Sequence, residues 1–243
     1  MDKIKSKTKK AQGHIEVIIS FVIFLGFLVF LVIIFEPFKS PTNPGIVDSV
    51  LVNLDKKVGV SVKTISINLN APPIRCIRFD NPNLTADSGC TPTTIIVKDK
   101  DEKVLDSKLD NSMFFVNTTN QKFFTIYCGS SLEAIPPLPL IGCTELTNVN
   151  YSLGIIVEKN LWSMEKLTLF DSEYKTNYLV LKDEIVSNPN DFGLVVSDLN
   201  DNIIFSMKGE IPRGVEVNSK TFPIEIINKT ASVKMVKANV LVW

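Results

Sequence analysis

The side chains equipped for chemistry are few, and their spacing argues against catalysis. His14 is the only histidine, and none follows it. Beyond that point a histidine-based nucleophilic relay and a His-containing zinc site are both excluded. Four cysteines, Cys76, Cys90, Cys128 and Cys143, could hold one zinc ion or form two bridges. No C-x2-C pair is present, which favours bridges. Four cysteines allow three pairings. Cys76–Cys90 and Cys128–Cys143 are expected, because each closes a short loop containing Pro and Gly, and each would stabilise by about 3 kcal/mol on the chain-entropy model. Asp198-Leu-Asn200-Asp-Asn202 has the opening spacing of a calcium loop. An EF-hand would need Gly where Ile203 stands and Glu where Gly209 stands, so a turn is expected instead. Asp99, Asp101 and Asp106 read as a solvated hairpin tip rather than an acid/base pair. No phosphate-cradling glycine loop occurs. The chain is expected to be no enzyme, with no catalytic residues, no metal and no cofactor.

The strongest element precedes all of this. From Val17 to Phe35 only Ser20 and Gly26 are not Val, Ile, Leu or Phe. As a helix these residues span about 28 Å, close to the hydrocarbon thickness of a bilayer. Insertion is favoured by about 5–10 kcal/mol, which Glu16, outside the run, cannot overturn. Lys3, Lys5, Lys7, Lys9 and Lys10 precede the run, so the N-terminus is expected in the cytoplasm and residues 40–243 outside. A cleaved secretory signal is the rival reading, but its apolar core would be shorter and followed by small residues. Of 26 basic residues six precede position 40, and of 26 acidic residues three do. The remainder carries a net charge of about −3, no footprint for nucleic acid. Four N-x-[ST] motifs, at Asn83, Asn117, Asn150 and Asn228, fall on the expected outer side and are candidate glycosylation sites.

Lys9-Lys10-Ala11-Gln12-Gly13-His14-Ile15-Glu16, followed directly by the apolar run, resembles the class III signal peptide of archaeal type IV pilin-like proteins. The likeness covers roughly the first 36 residues. It implies cutting by a prepilin-type peptidase between Ala11 and Gln12, with Lys10 the last residue before the small one. Glu16 becomes the fifth residue of the mature chain, where it could pair with the new amine of a neighbouring subunit. That pairing would offset the cost of an acid at the head of an apolar helix. In a plain signal anchor, Glu16 would instead reach the headgroup region. Gly13 and His14 make the mature start more polar than the family's usual run. Pro37, Pro41 and Pro44 depart from a helix continuing unbroken into the head.

The resulting division is a basic leader (1–11), a hydrophobic helix (12–38) and a Pro-rich collar with a short amphipathic helix (39–59). In that helix Val47, Val50, Leu51, Leu54 and Val58 follow helical spacing, with Gly59 as its cap. Two β domains or halves, 60–150 and 151–243, then follow in a mainly β, sandwich-like region. Its expected strands are Val60–Leu69, Thr94–Lys98, Phe123–Tyr127, Leu153–Glu158, Lys166–Phe170, Tyr178–Leu181, Phe192–Ser197, Ile203–Met207, Phe222–Ile227 and Val233–Trp243, with no long helix. KDKDEK (98–103) and SDLNDN (197–202) read as hairpin turns. Sliding the sequence by 99 residues superposes the hairpins they join, either by duplication or because hairpins look alike. Trp162, Trp243 and Phe114-Phe115 read as core plugs, with a carbohydrate-stacking surface as the alternative.

Two functions follow from these residues. One is a structural or adhesive subunit, major or minor, of an archaeal pilus-like surface filament. Its partners would be membrane lipid, the peptidase, other pilin-like subunits and a surface ligand. The other is a single-pass, membrane-anchored extracytoplasmic binding protein that never polymerises.

Overall fold

A computed structural model describes residues 17–28, 44–70, 75–80, 91, 94–110, 113–133, 140–147, 149–186 and 189–243. Two compact units are distinguished, Met1–Pro44 and Gly45–Trp243. In the first, residues 17–28 form helix α1, about 18 Å long at roughly 1.5 Å per residue. Among the described residues no helix is long and apolar enough to cross a membrane. The rest of the apolar run, 29–35, lies outside the described residues.

The second unit is mainly β. It opens with α2 (Pro44–Val58), a helix begun by a proline whose missing N–H has no intrahelical partner to lose. Val47, Val50, Leu54 and Val58 form its buried stripe, as their spacing predicts. The chain passes without a linker into β1 (Gly59–Leu69). A Cβ at position 59 would lie 2.1 Å from the Asp55 carbonyl oxygen, so only glycine fits this junction.

The strands that follow are β2 (Cys76–Asp80), β3 (Ile95–Asp99), β4 (Val104–Leu105), β5 (Ser107–Asp110), β6 (Met113–Asn117), β7 (Phe123–Gly129), β8 (Thr144–Glu145), β9 (Tyr151–Leu153) and β10 (Val157–Ser163). Helices α3 (Met164–Thr176) and α4 (Tyr178–Ile185) come next, then β11 (Phe192–Ser197), β12 (Ile203–Met207), β13 (Asn218–Ile227) and β14 (Val233–Val242). One sheet runs β12-β11-β14-β13-β10-β1-β7-β3-β4, with β9 also on β1; a smaller one runs β5-β6-β2-β8. Residues on both sides of position 150 therefore supply the large sheet. The two hairpins of the 99-residue echo, β3–β4 and β11–β12, lie at its opposite ends.

Each part of the large sheet is covered differently. Helices α2, α3 and α4 lay Leu54, Leu167, Phe170, Leu181 and Ile185 on β11, β13 and β14. The small sheet lays Ile77, Phe79, Phe114 and Val116 on β1, β3 and β7. Strand β1 serves two layers: Ile65, Ile67 and Leu69 face the small sheet, while Val60 and Val62 enter a third cluster with Leu132, Leu161 and Ile227. Lys57 ties the helices together, 3.1 Å from Glu173 and 2.7 Å from Glu184.

Two expected strands are helices. Lys166–Phe170 lies in α3 and Tyr178–Leu181 opens α4, which corrects the expectation of an all-strand region with no long helix. The Ser163 hydroxyl accepts the Lys166 N–H at 3.3 Å and caps α3. The helix then buries Leu167 and Phe170, three apart, leaving Leu169 exposed. In α4 Leu181 and Ile185 are buried while Leu179 and Val180 face out. Expected strand Leu153–Glu158 is interrupted: β9 ends at Leu153 and β10 starts at Val157.

Candidate functional site

Several sequence-based site residues, Lys10, Ala11, Gln12, Glu16, Asn83 and Cys90, lie outside the described residues. What the structure does present of the N-terminal element is its apolar surface. Along α1 every large apolar side chain is exposed, from Leu28 at 40% to Val17 at 68%.

The cysteines pair otherwise than expected. Cys76 bonds to Cys143, with Cα atoms 4.6 Å apart. This rules out both Cys76–Cys90 and Cys128–Cys143. The cause is strand pairing: β2 and β8 run parallel with Ile77 opposite Thr144 and Arg78 opposite Glu145, so the cysteines one step earlier also meet. Arg78 and Glu145 continue the alignment as an ion pair at 2.5 Å. Cys128, buried in β7, is also disulfide-bonded.

Of the three described sequon asparagines, Asn117 ends β6 and Asn150 and Asn228 lie in turns, and each carboxamide oxygen binds the loop beside it. Asn117 accepts the Thr119 N–H at 3.3 Å, and Asn150 accepts the Thr147 N–H at 3.0 Å. Asn228 accepts the N–H groups of Thr230 and Ser232, at 3.0 and 2.9 Å. Asp99 and Asp198 do the same in the β3–β4 and β11–β12 hairpins. Asp99 Oδ1 takes the N–H of Asp101 and Lys103; Asp198 Oδ1 takes those of Asn200 and Asn202. In all three hairpins the third residue on, Glu102, Asp201 or Ala231, has positive φ. Asp99 and Asp198 are thus turn devices, although Asp99 is buried rather than solvated.

Where two of these turns meet lies the one buried lysine among the described residues. Lys98 donates to the Ala231 carbonyl at 2.7 Å and to Glu102 at 3.1 Å, with Nζ 5.5 Å from the Tyr127 ring centre. Burial, and secondarily the Glu102 charge, pushes the Tyr127 phenol up. A cavity of about 510 Å³ opens beside Lys98, rimmed by Asn228 and Thr230. Glu102 is largely exposed, so its ion pair adds little. The bond to the Ala231 carbonyl, a charged hydrogen bond, carries the latch. Lys98→Met keeps the stem and removes the donor; urea unfolding should show a loss of about 1–3 kcal/mol.

The aromatic residues divide. Trp162 is buried, and its indole N–H donates to Asp55, tying β10 to α2. Phe114 is buried, while Phe115 lies on the outer face opposite Arg78 and Lys108, as adjacent strand residues must. Trp243 lines a cavity of about 210 Å³ with Tyr174, Tyr178, Asp191 and Glu210. Both tyrosine hydroxyls are engaged internally: Tyr174 donates to the Phe192 carbonyl at 3.0 Å, Tyr178 to Asp191 at 2.8 Å.

At Asp191, burial pushes the pKa up, but bonds from Lys182 and Tyr178 outweigh it and hold the carboxyl below its ordinary value. A depressed folded pKa stabilises above the unfolded value and is lost as pH falls through the folded one. Asp191→Asn should therefore lower stability at neutral pH and flatten the decline below about pH 4, measured by thermal unfolding across pH. Among the described residues no three of His, Cys, Asp and Glu gather to hold a metal ion. No family model, no curated protein and no solved structure matches this chain.

Proposed function

We propose that this protein is a structural or adhesive subunit of an archaeal type IV pilus-like surface filament, major or minor. It is held in the membrane by its N-terminal helix before assembly and has no catalytic role. The observation that carries the reading is the N-terminal pattern: five lysines, the Lys10-Ala11-Gln12 junction, Glu16, and then an apolar run. The exposure of the α1 side chains supports it, since such a surface is stable only in lipid or against other apolar helices. The β-rich unit with its disulfides, sandwich-like where the two sheets face each other, suits display outside the cell. Asn150 and Asn228 lie in its turns and Asn117 at the end of a strand, as glycan acceptors would.

The mass of the membrane-extracted N-terminal peptide tests the reading. A chain beginning at Gln12 supports a filament subunit. An intact Met1 instead supports the non-polymerising anchored binding protein. Glu16→Ala should leave membrane insertion unchanged and cut filament yield sharply, counted by electron microscopy; normal filaments would remove the pairing of Glu16 with a neighbour's amine.

A further inference from the structure

The large sheet is split at one place. Strands β10 and β13 run parallel but pair only through Trp162–Ile226 and Ser163–Ile227. Ahead of that junction β10 pairs with β1, and β13 with β14. Among the described residues, neither Val157–Leu161 nor Asn218–Glu225 has a strand on its other edge. These facing edges line an opening of about 680 Å³ under α2. Its walls include consecutive residues Leu161 and Trp162 on β10 and Ile224 and Glu225 on β13. Val60 and Ser61 of β1 and Met235 of β14 line it too, so the opening extends from the gap between the two edges onto the neighbouring strands. Of the outer edges, β4 and β8 have two residues each and β5 carries Lys108 and Asp110, while β12 is a second open edge.

We infer that this opening is an acceptor for one extended peptide strand, supplied by a second copy of this chain. An open edge is matched only by another extended backbone, which here would pair in the same sense with both parallel strands. Pro223 brings no N–H to the β13 side, so pairing there rests on its neighbours. The chain carries a fitting donor. Residues 208–217, between β12 and β13, have no strand partner among the described residues, and Glu210 to Val217 are all exposed. Val215-Glu216-Val217 alternates as a strand must. Its valines fit the apolar side of the opening, at Val52 and Ile224, and Glu216 then falls on the opposite side, beside the exposed Lys159, which is itself paired with Glu225 of β13 at 3.3 Å. The donor arm and the acceptor are different surfaces, so the contact is head-to-tail and propagates in an open chain unless its rotation closes a ring.

The test uses the full-length protein in detergent micelles and a synthetic peptide of residues 209–219. Hydrogen exchange at 157–161 and 219–225 should slow about tenfold or more when peptide saturates. The same peptide with Val215→Asp and Val217→Asp should give no slowing. The exposed-arm variant V215D/V217D of the full chain should also lose self-association in sedimentation. Three results would overturn the inference: no slowing at these amides, equal slowing by both peptides, or slowing confined to β12. None of these readings depends on leader cleavage or Glu16, so the inference and the filament assignment can fail separately.

Discussion

Replacing Cys76 and Cys143 together by serine should lower the stability of the 45–243 unit by about 4 kcal/mol. The bridge closes 67 residues of chain, and the entropy that such a loop removes from the unfolded state has that size. In a unit of this length that is a fall in melting temperature of roughly 10 °C. The effect should be uneven. Strand β8 has only two residues and two register partners on β2, so without the bridge it keeps the Arg78–Glu145 pair, the Leu146 N–H bond to the Arg78 carbonyl and the buried Leu146 side chain. Exchange at 144–146 should therefore accelerate more than exchange in β1 or β7. A double variant that melts with the wild type would show that the small sheet is held without the bridge.

Phe79→Ala should cost a similar amount, about 3–5 kcal/mol, as for other buried phenylalanines. Phe79 sits at the centre of the small sheet's inner face, 1% exposed. Its ring lies 5.6 Å from Phe114, 6.4 Å from Phe124 and 5.4 Å from Tyr151, measured between centroids. Those three come from different strands, β6, β7 and β9, so truncation leaves a void that none can fill alone. Phe79→Leu should recover most of the loss, and chemical unfolding of both variants measures it. Phe79 and Cys76 share β2, so the bridge and ring variants combined should deviate from additivity.

The strands of this unit were legible where alternation and turn chemistry coincided. Phe192–Ser197 and Ile203–Met207 follow from the pattern alone, as do α2 and the turns at 98–103 and 197–202. The helices α3 and α4 were not. Leu167 and Leu169, two apart, imitate a strand, although Ser163 followed by Glu165 carried a helix-start signal. Short-loop reasoning also failed for the cysteines. Cys76 and Cys143 meet because a five-residue strand lies beside a two-residue one, and no local pattern marks that pairing. The split between β10 and β13 was invisible for the same reason: it depends on which strands neighbour each other, while the sequence reports mainly which residues are extended. The lysine at position 98 looked like turn polarity, and only the approach of a second turn, 133 positions away, makes it a latch.

The position of β14 has a temporal consequence. This strand follows the other described strands in sequence, yet it lies inside the sheet, with β11 on one side and β13 on the other. As the polypeptide emerges during synthesis, β11 and β13 must each wait with one edge unpaired until those ten residues arrive. Closure is then a late, long-range event, slow by nature and exposed to mispairing meanwhile. A ribosome stalled ahead of Val233 should therefore carry a protease-sensitive chain, and emergence of residues 233–242 should bring resistance abruptly rather than strand by strand.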